Sequence, residues 1–133
     1  MHVPVIVGVG EVVNRSTRVD EAFEPRALML QSIYNAVRDT TVQPESHRAI
    51  INSIEGLHVV NTWTWTYHDL PLLLAHDLGT DVNFTALSDH AGSSPGVLLE
   101  HATRRVVTGD SKMDVVTGGE ALASRQWMRY LIR

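Results

Sequence analysis

The chain has 133 residues, of which 44% are hydrophobic, and its formal net charge at pH 7 is -4. This length and apolar content allow one compact domain with a core of its own. The small negative charge and the lack of a long basic run argue against nucleic acid or an anionic membrane surface as a partner. There is no cysteine, which excludes disulfides, thiolate metal sites and cysteine nucleophiles.

The two ends of the chain contain no recognisable targeting signal. Residues 1–4 lack the basic region and long apolar core of a secretory signal, and no apolar run has the length of a membrane span. Residues 131–133 differ from the Ser-Lys-Leu type of peroxisomal address. We therefore expect a cytoplasmic protein without a membrane span.

Four short apolar runs alternate with helical patterns along the chain. The runs at 3–9, 54–60 and 82–87, and one that begins at Met113, are typical of strands buried on both faces, and we take the first as a central strand. Helices are predicted from Pro25 to about Asp39, from Leu70 to Leu78 and from Pro95 to Gly109, with a helical turn at 47–53. This order predicts an α/β layered domain with helices packed on a largely parallel sheet.

The predicted helices have suitable residues at their ends. Asp69 can cap the second long helix and Gly79 can end it, while Ser93 or Ser94 can cap the third, which ends at Gly109. In the first long helix, the residues predicted to face inward are Leu28, Ile33, Ala36 and Val37.

The turn at 89–94 connects the third predicted strand to the third long helix. It brings small polar residues to a helix N-terminus, where free amide groups and the helix dipole favour an oxyanion, a phosphate or an activated nucleophile. In largely parallel sheets, ligands tend to bind where such turns leave the strands. An ordinary capped helix is the alternative interpretation of the same residues.

Other motifs give less support to a site. The seven histidines form no metal-binding pattern; they are His2, His47, His58, His68, His76, His90 and His101. Asp89, His90 and Ser94 are too close in sequence to face one another as a Ser-His-Asp triad. Gly8-x-Gly10 lacks the third glycine and the following helix of a dinucleotide site. The aromatic segment 61–69 favours core or interface anchoring, with a binding groove as the alternative.

Taken together, these segments resemble the N-terminal half of the thiolase superfamily, in particular its acetyl-CoA acetyltransferase and sterol-carrier-protein thiolase-like branch. The matching pieces are 4–10 (PVIVGVG), 54–57 (IEGL) and the block 91–124, with its helix end VVTGD and its strand end DVVTGGEAL. The resemblance extends to about Arg125. It implies a partial thiolase-like N-terminal domain at 1–125 and a divergent C-terminal tail at 126–133.

The same resemblance implies a site at the start of the third long helix. Thiolases place a nucleophilic cysteine there, which takes the acyl group from a thioester. Counting back from Gly109 without gaps puts Gly92 at that position, and Ser94 on the family's following serine. The family's remaining catalytic groups belong to segments beyond residue 133. If chemistry survives, Ser93 or Ser94, with His90 nearby, are the catalytic candidates.

The resemblance therefore implies an acyltransferase of lipid metabolism that handles acyl-CoA thioesters, with coenzyme A entering as part of the substrate and no resident cofactor or metal. For the family, a peroxisomal or mitochondrial location is the alternative to the cytoplasm. Because Gly92 cannot be acylated, we expect no independent catalysis, and whether the chain is an enzyme stays open. The alternatives are a non-catalytic protein that binds acyl-CoA or pairs with another subunit, and a small nucleotide-binding module. If this part of the fold leaves a sheet edge exposed, we expect that edge to be covered, either by a second copy of the chain (a homo-oligomer) or by the C-terminal half of the thiolase fold.

Overall fold

The structure is a computed structural model that describes residues 2–131, with the side chains of residues 2–126. The elements, in chain order, are α1 (Pro25–Thr40), α2 (His47–Asn52), β1 (Gly56–Val59), α3 (Leu70–Leu78), β2 (Phe84–Leu87), α4 (Ser94–Thr108), β3 (Asp114–Thr117) and α5 (Leu122–Leu131). Short 3-10 helical turns lie at Val19–Glu21 and Pro44–Ser46. The predicted α/β class is confirmed.

The three strands form one parallel sheet in the order β2-β1-β3. Gly56 of β1 lies level with Phe84 of β2 and Asp114 of β3. All four residues of β1 are buried, as expected for the central strand of a sheet with helices on both faces.

One face of the sheet packs on α1 and α3. Both helices bury residues four apart, which places them on one side of each helix; these are Met29, Ile33 and Val37 of α1, and Leu70, Leu74 and Leu78 of α3. They form the core with Leu57 and Val59. Ile33 and Val37 were predicted to face inward and do so, whereas Leu28 and Ala36 are only half-buried.

The other face of the sheet carries a buried polar cluster beneath α4. The carboxylate of Asp114, whose side chain is 1% exposed, contacts Nε2 of His58 at 2.9 Å and Nε of Arg105 at 3.0 Å, and it accepts a hydrogen bond from Ser111. Burial alone would raise the pKa of Asp114, but these three donors together hold it below the usual value. Next to it, Gly56 leaves room for the carboxylate, since a Cβ there would lie 2.4 Å from Asp114 Oδ1.

The predicted first strand, at residues 3–9, is wrong. The segment has no strand assignment in the structure, and Val3, Val5 and Ile6 are 82%, 73% and 75% exposed. It lies on α1 instead, where the Val9 amide donates to Asp39 Oδ2 at 2.9 Å. An apolar run shows that a segment can form a strand, but it does not show whether a partner strand lies beside it.

The predicted cap of α3 and the predicted glycine ends of α3 and α4 are confirmed. The Asp69 side chain accepts a hydrogen bond from the Leu72 amide at 3.1 Å, and Gly79 and Gly109 end their helices with φ of 66° and 81°. Such left-handed conformations favour glycine. Among the described residues, no helix is long and apolar enough to cross a membrane.

The C-terminal residues contain a helix, α5. The division of the chain into a domain at 1–125 and a divergent tail at 126–133 stays a prediction. Residues 132 and 133 of that tail lie outside the described residues.

Candidate functional site

The three loops that follow the strands meet at the carboxyl edge of the sheet. Because the strands are parallel, the chain leaves all of them on the same side. The Val60 amide donates to the Thr117 carbonyl at 2.8 Å, and the Asn61 amide donates to Ser88 Oγ at 3.0 Å. The predicted turn at 89–94 therefore lies beside the loop after β1, which contains the aromatic segment.

Ser94 closes this turn. Its side chain is buried, and its hydroxyl donates to the Asp89 carbonyl at 2.7 Å, while its amide donates to the Ala91 carbonyl at 3.1 Å. The hydroxyl is thus directed back into the turn. The prediction that Ser93 or Ser94 caps the helix through its side chain is wrong: α4 begins at Ser94, and Ser93, the capping residue by position, makes no side-chain cap hydrogen bond.

Gly92 and Ser93 are exposed in this turn. A Cβ added at Gly92 would meet nothing within 4 Å, so the position where the resemblance puts the nucleophile faces open space. Gly96, in the first turn of α4, is equally open. The N-terminus of α4 is therefore accessible to a ligand from solution.

His90 is held by the neighbouring aromatic loop. Its ring lies 4.8 Å from the Trp63 ring, centroid to centroid, and its Nε2 lies 2.9 Å from the Thr62 carbonyl oxygen. A carbonyl only accepts hydrogen bonds, so Nε2 carries the proton and Nδ1 is the acceptor in the neutral ring.

Glu120 ties the end of β3 to the same aromatic loop. Its two carboxylate oxygens accept hydrogen bonds from the Trp63 amide and, at 2.5 Å, from Thr64 Oγ1. Gly118 allows the close approach of the two loops, since a Cβ there would lie 2.8 Å from Val60 Cβ. Gly118 and Glu120 thus position the loop that holds His90.

The structure brings the predicted site residues to one turn without assembling them into an acyl-transfer centre. Ser94 binds Asp89 and His90 binds Thr62, and among the described side chains no hydrogen bond joins His90 to either serine. In the described part of the chain, no group of three or more histidine or acidic residues could hold a metal ion. The available chemistry is that of a helix N-terminus with open space in front of it.

The sequence analysis gave no role in the site to three residues of this region: Thr62, Trp63 and Glu120. The Thr62 carbonyl binds a histidine 28 positions away, and the Trp63 amide binds a glutamate 57 positions away. Such pairs have no local spacing that could indicate them. The aromatic segment was expected to anchor the core or an interface; Trp65 and Tyr67 are half-buried, whereas Trp63 is 67% exposed and its ring lies against His90 at an interplanar angle of 41°.

Comparisons with known proteins identify the fold. No protein-family model and no curated protein sequence matches this chain. Among solved structures, it is similar to a monomeric SCP2-thiolase-like protein type 1 from Mycobacterium smegmatis, with a TM-score of 0.74 and 20% sequence identity. The match covers 90% of this chain and 24% of that one, so this chain spans about a quarter of the length of its structural neighbour. The chain has a partial thiolase-like fold.

Proposed function

We propose that this chain is a thiolase-like protein of the acetyl-CoA acetyltransferase type that binds acyl-CoA thioesters without forming an acyl-enzyme. The observation that carries the proposal is Gly92. It stands at the position where the resemblance puts the nucleophile, in a turn that opens the N-terminus of α4 to solution. The position that the resemblance gives to the nucleophile therefore has no side chain to acylate, while the helix N-terminus beside it favours an anion.

The neighbouring side chains support binding over catalysis. A serine becomes an effective nucleophile only when a base is held against it. The buried Ser94 hydroxyl donates a hydrogen bond to the backbone carbonyl of Asp89, and His90 Nε2 donates one to the backbone carbonyl of Thr62. Ser93 is exposed, so an acyl group could reach it, but no base is hydrogen-bonded to it among the described side chains.

The proposal is tested by titrating the chain with acetyl-CoA in a calorimeter and measuring its intact mass afterwards. We expect binding and an unchanged protein mass. A Gly92→Asp variant places a carboxylate in the open turn and should weaken acetyl-CoA binding about tenfold through like-charge repulsion. The control is Val42→Asp, at an exposed position after α1 and at the opposite edge of the sheet, which should bind like the wild type.

Each other outcome contradicts a part of the proposal. Absence of binding at millimolar acetyl-CoA overturns acyl-CoA handling. A stable mass increase of one acetyl group overturns the non-covalent mode, and its loss in a Ser93→Ala variant would then identify the acylated residue. Equal effects of the two aspartate substitutions would place the binding site away from the turn.

A protein that pairs with another subunit is the second candidate. It is favoured by the sheet itself, because β2 and β3 are both edge strands among residues 2–131. Sedimentation of the chain over a range of concentrations distinguishes this role from ligand binding alone.

A further inference from the structure

A cavity of about 180 Å³ lies between the N-terminal loop and the start of α5. It is lined by residues of the stretches 12–18 and 120–124, together with Ala22 and Leu28, and by none from the turn at 89–94. Drug-sized ligands occupy pockets of about 300–1,000 Å³, so this cavity fits a smaller molecule. At the volume that a water molecule takes in the liquid, it has room for about six to eight non-hydrogen atoms.

The start of α5 offers backbone donors to this cavity. The helix begins at Leu122, and the residue before it, Ala121, has no side-chain oxygen that could cap it. The carboxylate of Glu120 accepts hydrogen bonds from the Trp63 amide and Thr64 Oγ1 instead. In the part of the chain that the structure describes, no backbone carbonyl accepts from the amides that begin the first turn of α5. These amides and the helix dipole therefore favour an oxygen acceptor in the cavity.

Ser124, in the first turn of α5, is a buried polar residue that lacks a partner. It is 8% exposed and lines the cavity, and its hydroxyl makes no hydrogen bond with any residue that the structure describes. Among the described side chains, the nitrogen or oxygen that is fully buried without a partner is His58 Nδ1, so Ser124 Oγ keeps some accessible surface. That surface opens on the cavity, where the hydroxyl can bind a ligand.

The charged side chains around the cavity disfavour a simple anion. Arg18 lines it, but its guanidinium is held by Asp20 at 2.6 Å and by Glu21 at 3.5 Å. Glu120, which also lines the cavity, adds a further negative charge. Carboxylates thus outnumber the guanidinium here. A ligand that brings a carboxylate to the amides of α5 therefore needs a positive group of its own to offset Glu120.

The rest of the lining is largely aliphatic. Ala22 and Leu28 are half-buried, and Ala121 and Ala123 add small side chains beside the polar groups of α5. A ligand of this size gains affinity by burying a short aliphatic group against them. The cavity therefore combines a place for an acceptor, a place for a cation and a small apolar surface.

We propose that this cavity binds a small aliphatic α-amino acid, between alanine and valine in size, as the zwitterion. Its carboxylate accepts hydrogen bonds from the first amides of α5 and from Ser124 Oγ, its ammonium group lies against the Glu120 carboxylate, and its side chain packs on Ala22 and Leu28. The site binds no acyl-CoA and shares no lining residue with the turn at 89–94. It is therefore correct or wrong independently of the proposed function.

The test titrates L-alanine and L-valine into the isotopically labelled 133-residue chain and follows its backbone amides by NMR. We expect dissociation constants in the millimolar range, as so small a ligand allows, with shifts concentrated in residues 12–18 and 120–124. Amides of the turn at 89–94 should shift with acetyl-CoA and stay unchanged with either amino acid, so one spectrum separates the two sites. No saturable shift at concentrations far above the millimolar range overturns the proposal.

Four other compounds test the contacts of the ligand one at a time. Acetate lacks the ammonium group, ethylamine lacks the carboxylate, and acetamide has neither charge; we expect each to bind about tenfold or more weakly than alanine. Acetate that binds as tightly as alanine would make this a general anion site, and equal binding of ethylamine or acetamide would contradict recognition of a zwitterion. Phenylalanine exceeds the cavity and should not bind; equal binding would place the amino acid outside it.

Two serine substitutions test the contact from the protein side. Ser124→Ala removes a hydroxyl that has no partner among the described residues, so we expect a folded protein that binds alanine about tenfold more weakly. Ser53→Ala, at an exposed position directly after α2, is the matched control and should bind alanine like the wild type. Equal affinities of the two folded variants would contradict the role of Ser124.

Glu120→Gln tests the contact with the ammonium group. Because Glu120 also holds the aromatic loop, the quantity to compare is a ratio, the affinity for alanine divided by the affinity for acetate, measured on the same variant. We expect this ratio to fall about tenfold, since a neutral amide attracts an ammonium group less and repels a carboxylate less. An unchanged ratio would place the ammonium group away from Glu120 and overturn the proposed binding mode.

Discussion

Arg105 of α4 and Asp114 of β3 form an ion pair that is almost closed to solvent, with side-chain exposures of 17% and 1%. The same carboxylate oxygen contacts Nε2 of His58 in β1, and the Arg105 guanidinium lies 4.0 Å from the centre of the Phe84 ring of β2. One charged cluster therefore joins α4 to all three strands. Removing one partner of such a buried pair lowers the stability of the fold strongly, because the other charge stays buried without a partner.

Two adjacent arginines of α4 allow this cost to be measured. Arg105→Gln leaves the Asp114 carboxylate without its cationic partner and should lower the free energy of unfolding by about 3 kcal/mol. Arg104→Gln removes the same charge from an exposed pair with Glu100, and should change the free energy of unfolding by less than about 0.5 kcal/mol. Urea unfolding of both variants checks the difference, and equal losses would show that the Arg105 pair contributes no more than a surface contact.

The same carboxylate makes stability depend on pH. Its pKa is lower in the folded protein than in the unfolded chain, so its contribution is complete above the ordinary aspartate pKa of about 3.9 and is lost as the pH falls through the folded value. The unfolding free energies of the wild type and of Asp114→Asn should therefore approach each other as the pH is lowered from about 5 to 2. Urea unfolding across this range tests it; a constant difference would contradict the lowered pKa.

The features that local sequence predicted are those fixed by neighbours in the chain. Asp69, Gly79 and Gly109 determine their helix ends through contacts within a few residues, and α1, α3 and α4 were predicted close to their observed bounds, whereas α5 was not predicted. The pairing of residues 3–9 depends on what lies beside them in space. Their apolar pattern was correctly recognised, but it gave no information on the groove that separates them from β3.

In the candidate site, too, some features are fixed by neighbours in the chain and others by residues that are distant in sequence. The turn at 89–94 was located from the predicted strand and helix around it. The roles of its residues depend on distant partners: His90 binds Thr62, and the Ser94 hydroxyl closes its own turn when it could also have capped the helix. Serine donates and accepts hydrogen bonds, so its identity alone does not choose between these uses.

Gly10 is needed for the close packing of the N-terminal segment on α1. A Cβ at this position would lie 2.0 Å from the Ser32 carbonyl oxygen, which belongs to the helix backbone. Gly10→Ala should therefore lower the free energy of unfolding by about 1–3 kcal/mol, as overpacking does. Gly92→Ala, where a Cβ meets nothing within 4 Å, is the matched control and should change it by less than about 0.5 kcal/mol. Thermal and urea unfolding of both variants measure the contrast, and a tolerated Gly10→Ala would mean that the segment is not held on α1.

Glu120 should control the opening of the aromatic loop. Glu120→Gln removes the charge that strengthens the hydrogen bonds from the Trp63 amide and Thr64 Oγ1. We expect the Trp63 amide to exchange with solvent about tenfold faster in this variant, because its hydrogen bond to a neutral amide oxygen is weaker than its hydrogen bond to a carboxylate. Glu45→Gln, at an exposed position in the turn before α2, is the control. An unchanged exchange rate at Trp63 would show that the loop is held by other contacts.

A cysteine introduced at Gly92 tests directly whether the turn favours negative charge. The chain has no cysteine, so alkylation reports on the introduced thiol alone. Gly92 lies two residues before the first residue of α4, and the exposed Val42 lies two residues after the last residue of α1, so the two positions sense opposite ends of a helix dipole. We expect the thiol pKa in Gly92→Cys to be about one unit below that in Val42→Cys, as measured from the pH dependence of the iodoacetamide reaction rate. Equal values, or the reverse order, would show that the turn does not stabilise an anion, and the proposal that it binds an acyl-CoA thioester would lose its physical basis.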